Sequence, residues 1–292
     1  MIDSLLEPDF LEKLDGLALL GRRRRGNRLG EHLAWRRGTS LEFEDYRDYQ
    51  PGDDIRYLDW NVWSRLGRYE VKRFAAEEDL TVHLLVDASG SMGFGSPSKF
   101  HLAVRVAASL GYIAWRRMDK VALAAFSGNL GETITPARRR GGPTELFGAL
   151  SRLQAKGETR FNESLIRYAL GSRRPGLAVV ISDLLDPRGY TRGLDALRYR
   201  RYDILLIHVL CRDDLVPPSR GALQLIDGET GENRKIRMDR NLSDRYRRVA
   251  GNFVEEAESF CRRRGIEYIR ARSEVPFQDL VLAYLRGGAF LR

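Results

Sequence analysis

The stretch Thr81-Val82-His83-Leu84-Leu85-Val86-Asp87-Ala88-Ser89-Gly90-Ser91-Met92-Gly93 decides the fold. An apolar, β-branched run stops abruptly at Asp87 and gives way to small and polar residues. An apolar-periodic segment then opens near Lys99. This is the pattern of a strand, a turn and a helix. In open α/β sheets, ligands bind just beyond the carboxyl ends of the strands. Asp87, Ser89 and Ser91 fall at that place with the spacing D-x-S-x-S. One carboxylate and two hydroxyls are hard oxygen donors, suited to Mg²⁺ or a similar cation with positions left open.

Other chemistries compete for the same stretch. It could be a plain turn of small residues. Ser89-Gly90-Ser91-Met92-Gly93 is one residue away from the G-x-S-x-G nucleophile elbow. That elbow needs a histidine beyond a later strand, and the last histidine, His208, lies inside the apolar run 204–210. A base buried in mid-strand cannot serve a loop serine, which sets the hydrolase aside. Gly93, Gly95 and Lys99 precede a helix as in a phosphate cradle, but G-x-x-x-x-G-K-[ST] is absent.

The 292 residues suffice for one large α/β domain with an accessory module. Hydrophobic residues at 43% and charged residues at 30% describe a soluble globular chain. No apolar run reaches the roughly 20 residues of a membrane span, and no signal peptide is visible at the N-terminus. Two cysteines, Cys211 and Cys261, provide neither a disulfide framework nor a metal spacing. Together these features predict a cytoplasmic protein. The net charge of +9 raises nucleic-acid binding as a class. However, the arginines are spread along the chain and do not alternate with aromatics, so charge here bears on solubility more than on recognition.

In chain order, residues 1–20 form an amphipathic helical pattern, followed by the solvated run Arg22-Arg23-Arg24-Arg25. Residues 26–80 are rich in aromatics and punctuated by glycines. Leu41–Tyr46 alternates as a half-buried strand, Tyr49–Asp54 is a turn, and Arg68–Phe74 is a second strand. Phe43, Tyr46, Tyr49, Ile55, Leu58 and Trp60 are expected in the core of this β-rich module. Arg47, Asp53, Asp54, Arg56 and Asp59 are expected to pair with one another, since unpaired buried charges are costly. From residue 81, strands alternate with helices, the signature of a mostly parallel sheet. Strands are predicted at 82–86, 120–126, 177–181, 203–210 and 266–269, with a short edge strand at 132–135. Residues 212–240 interrupt the rhythm with Pro217-Pro218 and a hairpin near Asp227–Gly231.

A cation beyond Val86 requires donors from neighbouring strand ends. Val179-Val180-Ile181-Ser182-Asp183 supplies a carboxylate, although an Asp there also caps turns. A hydroxyl is then expected on the loop before the helix feeding that strand. Thr159 and Thr144 both qualify, and both could be ordinary helix caps. Thr159 is preferred, because its helix leads directly into the Asp183 strand. The expected set is Asp87, Ser89, Ser91, Thr159 and Asp183, some through water, with the sixth position open.

D-x-S-x-S with a later Thr and a later Asp resembles the metal-ion-dependent adhesion site (MIDAS) of von Willebrand factor A domains. Upstream, Leu41–Trp60 resembles the E-F-x-x-x-R-x-Y-x-x-G-D-D-x-R-x-I-D-W signature of the domain-of-unknown-function 58 family, with Leu58 in place of Ile. The resemblance spans about residues 26–290. It implies an α/β, von Willebrand factor A-like (Rossmann-like) domain at 81–292, carrying an insertion at about 212–240 and an antiparallel edge strand. Residues 26–80 would be the β-rich module bearing the signature, and 1–25 the N-terminal helix and basic segment. It also implies partnership with a MoxR-type AAA+ ATPase. The expected function is a non-catalytic, divalent-metal-dependent protein interaction module. Mg²⁺, Mn²⁺ or Ca²⁺ would be completed by an Asp or Glu of a protein partner. A metal-dependent hydrolase at the same site is the alternative, and nothing in the sequence places a general base beside Ser91.

Overall fold

The computed structural model describes residues 6–14, 42–75, 80–128, 130–137, 142–171, 174–217, 221–227, 229 and 231–281. The chain divides into two units, Arg24–Asp79 and the combination of Met1–Arg23 with Leu80–Arg292. In the larger unit a six-stranded sheet is built from β3 (Thr81–Asp87), β4 (Lys120–Phe126), β5 (Leu130–Ala137), β6 (Leu177–Ser182), β7 (Asp203–Leu210) and β10 (Glu267–Arg272). The strand order is β10-β7-β6-β3-β4-β5. Five strands run parallel, and β5 pairs antiparallel with β4 at the edge. β3 is therefore central, bonded to β4 on one side and β6 on the other.

Its mostly apolar run, broken by the buried His83, is explained by burial on both faces, which parallel sheets require. Val82, Leu84 and Val86 pack with Leu177, Val179 and Ile181 of β6 under α3 (Lys99–Arg116) and α4 (Gly142–Arg152). Leu85 packs on the opposite face with Val180, under α5 (Phe161–Gly171), α6 (Thr191–Tyr199) and α8 (Arg240–Arg264). α1 (Pro8–Leu14) belongs to the first face: Phe10 and Leu14 are buried there, and Phe10 meets Phe277 edge-on at 4.8 Å. The remainder of the helix expected over 1–20, and the run Arg22–Arg25, lie outside the described residues. Gly111 allows α4 to approach α3, because a Cβ there would stand 2.2 Å from Leu146 Cδ2.

The expected interruption at 212–240 is a short helix, α7 (Arg212–Leu215), followed by a hairpin of β8 (Gly221–Ile226) and β9 (Asn233–Met238). The hairpin forms its own two-stranded sheet, with both strands largely exposed. Among the described residues no helix is long and apolar enough to cross a membrane.

The smaller unit pairs β1 (Glu42–Asp48) with β2 (Glu70–Ala75), enclosing a turn, a 3₁₀ segment at Ile55–Tyr57 and α2 (Trp60–Leu66). Its described part is one strand pair, the 3₁₀ segment and a helix. The expected aromatic core requires correction. Leu58 is buried, but Trp60 is 59% and Ile55 62% exposed, and Tyr46 is exposed as well. Asp59 is the reason. Its carboxylate accepts the N–H groups of Asn61 and Val62, so a helix starts at Trp60. Trp60 then meets Trp63 edge-on, and Trp63 stacks on Tyr69, in place of a core. The expected pairing within the set holds for two pairs: Arg47 holds Asp53 through two bonds of 2.6 Å and Arg56 pairs with Asp54, whereas Asp59 pairs with Lys72 of β2, outside the set, at 2.9 Å.

Candidate metal centre at the strand ends

Three loops meet beyond the carboxyl ends of the central strands. The Ala88 N–H donates to Phe126 O at 2.8 Å, tying the end of β3 to the end of β4. The Gly90 N–H donates to Gly157 O and the Lys156 N–H to Ala88 O, each at 2.8 Å. These two bonds lay the loop before α5 alongside the D-x-S-x-S turn. Gly157 permits this with φ +85°, a left-handed conformation that glycine adopts without strain. Thr159 follows two residues later and is fully buried. The loop after β6 closes the third side. Asp186 accepts the Phe161 N–H at 2.8 Å, and the Arg188 side chain donates to the Thr159 carbonyl.

Asp87 has no exposed surface. One of its oxygens accepts the Ser89 N–H at 3.0 Å, and the other accepts the Ser182 hydroxyl at 2.6 Å. The β3–β6 register explains the second bond: Val86 pairs with Ile181, so the next positions, Asp87 and Ser182, stand side by side. Burial first, and the charge of Asp183 second, push the Asp87 carboxyl up to about 7. Ser89 is buried and Ser91 half-buried, with their hydroxyl oxygens 3.1 Å apart. Thr144, the competing threonine, is exposed in the first turn of α4.

Asp183 is held differently. Its Oδ2 accepts from Lys99 Nζ at 2.8 Å, and its Oδ1 from the Leu185 N–H at 3.1 Å. Lys99 is only 1% exposed and also reaches Asp214 of α7 at 3.2 Å. Burial alone would depress the Lys99 pKa, but the two carboxylates outweigh it and the net shift is upward. His208 sits beneath this pair, with Nε2 3.0 Å from the Asp183 carbonyl and Nδ1 2.7 Å from the Tyr268 hydroxyl. Burial lowers its pKa to about 4.

The donors suit a hard divalent cation on two counts. Neighbouring ligands at about 2.1 Å from an octahedral ion stand about 3 Å apart, which the Ser89 and Ser91 hydroxyls already do. The raised pKa of Asp87 marks a buried carboxylate lacking a full counter-charge. Asp183 is already matched by Lys99. Among the described residues no group of three or more His, Cys, Asp or Glu side chains is arranged to hold a metal; the set here is rich in hydroxyls. The roles of Lys99 and Asp214 were not foreseen, although an apolar helix opening on a lysine hints at the first. Ser182 was visible in the tandem Ser182-Asp183. Glu229, which bonds to Thr159, carries no sequence signal because it sits 70 residues away in a polar turn.

Residues 45–255 match the family model described as protein of unknown function DUF58, and the chain belongs to that family. Uncharacterized proteins of Mycobacterium bovis and Mycobacterium tuberculosis are 33% identical over 251 residues, spanning 84% of this chain and 75% of theirs. Among solved structures, the conserved hypothetical protein BatB from Bacteroides thetaiotaomicron aligns with 71% of this chain and 98% of its own. Its identity is 15% and its TM-score 0.44.

Proposed function

We propose that the larger unit is a von Willebrand factor A-like domain that binds other proteins through a divalent cation and performs no chemistry itself. Ser89, Ser91 and Thr159 would hold Mg²⁺ or a related ion, with Asp87 and Asp183 acting directly or through water. An Asp or Glu of the partner would complete the coordination. The observation that carries this reading is the pair of hydroxyls at 3.1 Å beside a carboxylate buried without full compensation. Two protein carboxylates, one already shared with Lys99, leave the cation electrophilic toward an outside carboxylate. His208 cannot act as base for Ser91, since both of its ring nitrogens are engaged within the core. A MoxR-type AAA+ ATPase is the proposed partner, on the strength of the resemblance noted above.

The test is Mg²⁺ and Mn²⁺ calorimetry on wild type, Ser91→Ala, Thr159→Ala and Thr144→Ala, with lysate capture in the presence and absence of EDTA. Binding lost in the first two variants and kept in the third, together with EDTA-sensitive capture, is expected. Metal-dependent turnover of phosphoester, ester or peptide substrates that vanishes in Asp87→Ala and Ser91→Ala would overturn the reading in favour of a hydrolase.

A further inference from the structure

The β8–β9 hairpin places a carboxylate on Thr159, the candidate cation ligand supplied by the loop before α5. Glu229 accepts the Thr159 backbone N–H at 2.9 Å and the Thr159 hydroxyl at 2.5 Å. The direction of the turn is set locally. The Glu229 N–H donates to Asp227 Oδ1 at 2.8 Å, and the Gly231 N–H to Asp227 O at 3.0 Å. The Asp227 N–H closes the hairpin on Glu232 O at 2.8 Å.

The proximity has a coordination meaning. An oxygen this close to the Thr159 hydroxyl is within a small shift of the roughly 3 Å that separates neighbouring ligands of one hard cation. The described residues of the two hairpin strands bury almost no apolar surface of their own. Residues 221–226 and 233–237 are exposed or half-buried, and Met238 at its base is the buried residue of the two strands. A two-stranded hairpin without a core is marginal on its own, so its tip can leave Thr159 without unfolding the sheet beneath.

We propose that Glu229 is a carboxylate ligand of the cation site, supplied by the protein's own hairpin. The site is then capped in cis, and a partner's carboxylate has to displace it. This rests on the cation reading above and adds to it an occupant for the open position. A hairpin tip whose strands lack a core is the kind of occupant an outside carboxylate can exchange with. Partner affinity is accordingly set by a competition within the chain.

Mn²⁺ alone is the probe, measured by affinity and by the relaxation of water protons on the bound ion. Wild type, Glu229→Gln, Glu232→Gln and Ser91→Ala are compared. If Glu229 is a ligand, Glu229→Gln weakens Mn²⁺ about tenfold and raises proton relaxation, because water replaces the carboxylate. Millimolar acetate then lowers that relaxation in Glu229→Gln more than in wild type, and Glu232→Gln behaves as wild type. Unchanged affinity and relaxation in Glu229→Gln, with Mn²⁺ lost in Ser91→Ala, overturns the cap and leaves the cation site standing. An equal effect from Glu232→Gln also overturns it, by reducing the effect to general charge. If wild type and Ser91→Ala do not differ toward Mn²⁺, the cation reading falls and the cap falls with it.

Discussion

Two sets of charges in this protein are built on opposite plans. In the smaller unit, acids and bases answer one another: Arg47 with Asp53 and Arg56 with Asp54 at the turn, and Asp59, the cap of α2, with Lys72 of β2. The Arg47–Asp53 and Arg56–Asp54 pairs lie near water, and Lys72 reaches the buried Asp59 from a half-exposed position. Lys72 holds Asp59 down to about 2, helped by the Tyr46 hydroxyl and two backbone N–H groups. At the end of β3 the charges are sealed, and the balance is incomplete. Asp183 has Lys99, while Asp87 has only hydroxyl and amide donors. The first arrangement shapes a turn and satisfies itself. The second leaves a demand for positive charge that an incoming ion can meet. The residues most diagnostic of the family therefore sit in one unit and the candidate chemistry in the other.

The largest effect that would sharpen this contrast is expected at Lys99. Lys99→Met strands two carboxylates, one of them fully buried, and should destabilise the larger unit by about 3–5 kcal/mol in urea unfolding. A loss under 1 kcal/mol would mean that water already screens the group.

The next effect has the opposite sign. The Asp87 pKa is raised above its unfolded value, so the folded state takes up a proton as pH falls from about 7 toward 4, and wild type gains stability over that range. Above pH 7 it carries the full penalty of a buried carboxylate. Asp87→Asn in EDTA at pH 8 should therefore be more stable than wild type, by on the order of 2 kcal/mol. The difference should shrink at pH 5. A less stable variant at pH 8 would break the comparison.

A third effect comes from His83, buried on the opposite side of the balance. Burial lowers its pKa to about 4, so neutral His83 favours the folded state above its unfolded pKa. That stability is lost as pH falls from about 6.5 to 4, by about 2 kcal/mol at pH 5. His83→Phe should flatten this acid limb when the two unfolding series are overlaid.

The smallest effect is expected in the other region. Arg47→Met removes an exposed two-bond pair, and such pairs contribute about 0–1 kcal/mol. A loss as large as that of Lys99→Met would erase the distinction between the two sets.

Much of the larger unit could be read from the chain. β7 falls at the expected residues 203–210 because a mostly apolar run buried on both faces marks a strand, and its one polar interior residue, His208, is satisfied by Tyr268 and the Asp183 carbonyl. The hydroxyl and carboxylate donors of β3 and β6 follow from strand ends, which apolar runs mark sharply. Thr159 was reachable through chain order, since its helix feeds β6. The smaller unit was harder. Asp59-Trp60 reads as aromatic core by composition, yet Asp59 acts as a helix cap and turns Trp60 outward. Glu229 and the Lys99–Asp214 pair depend on contacts 70 and 115 residues apart, which no local periodicity encodes.

The order of the two units along the chain has a mechanical consequence. Residues 24–79 are threaded between α1 and β3, both of which belong to the larger unit. Tension applied to the smaller unit is thus delivered to the start of β3, the strand that ends at Asp87. β3 is bonded to β4 over Thr81–Asp87 and to β6 over Val82–Val86, so pulling along it loads both ladders in shear. Stretching single molecules between anchors in α2 and α8 should give one high-force rupture, and a low-force, gradual extension would show that β3 does not bear the load.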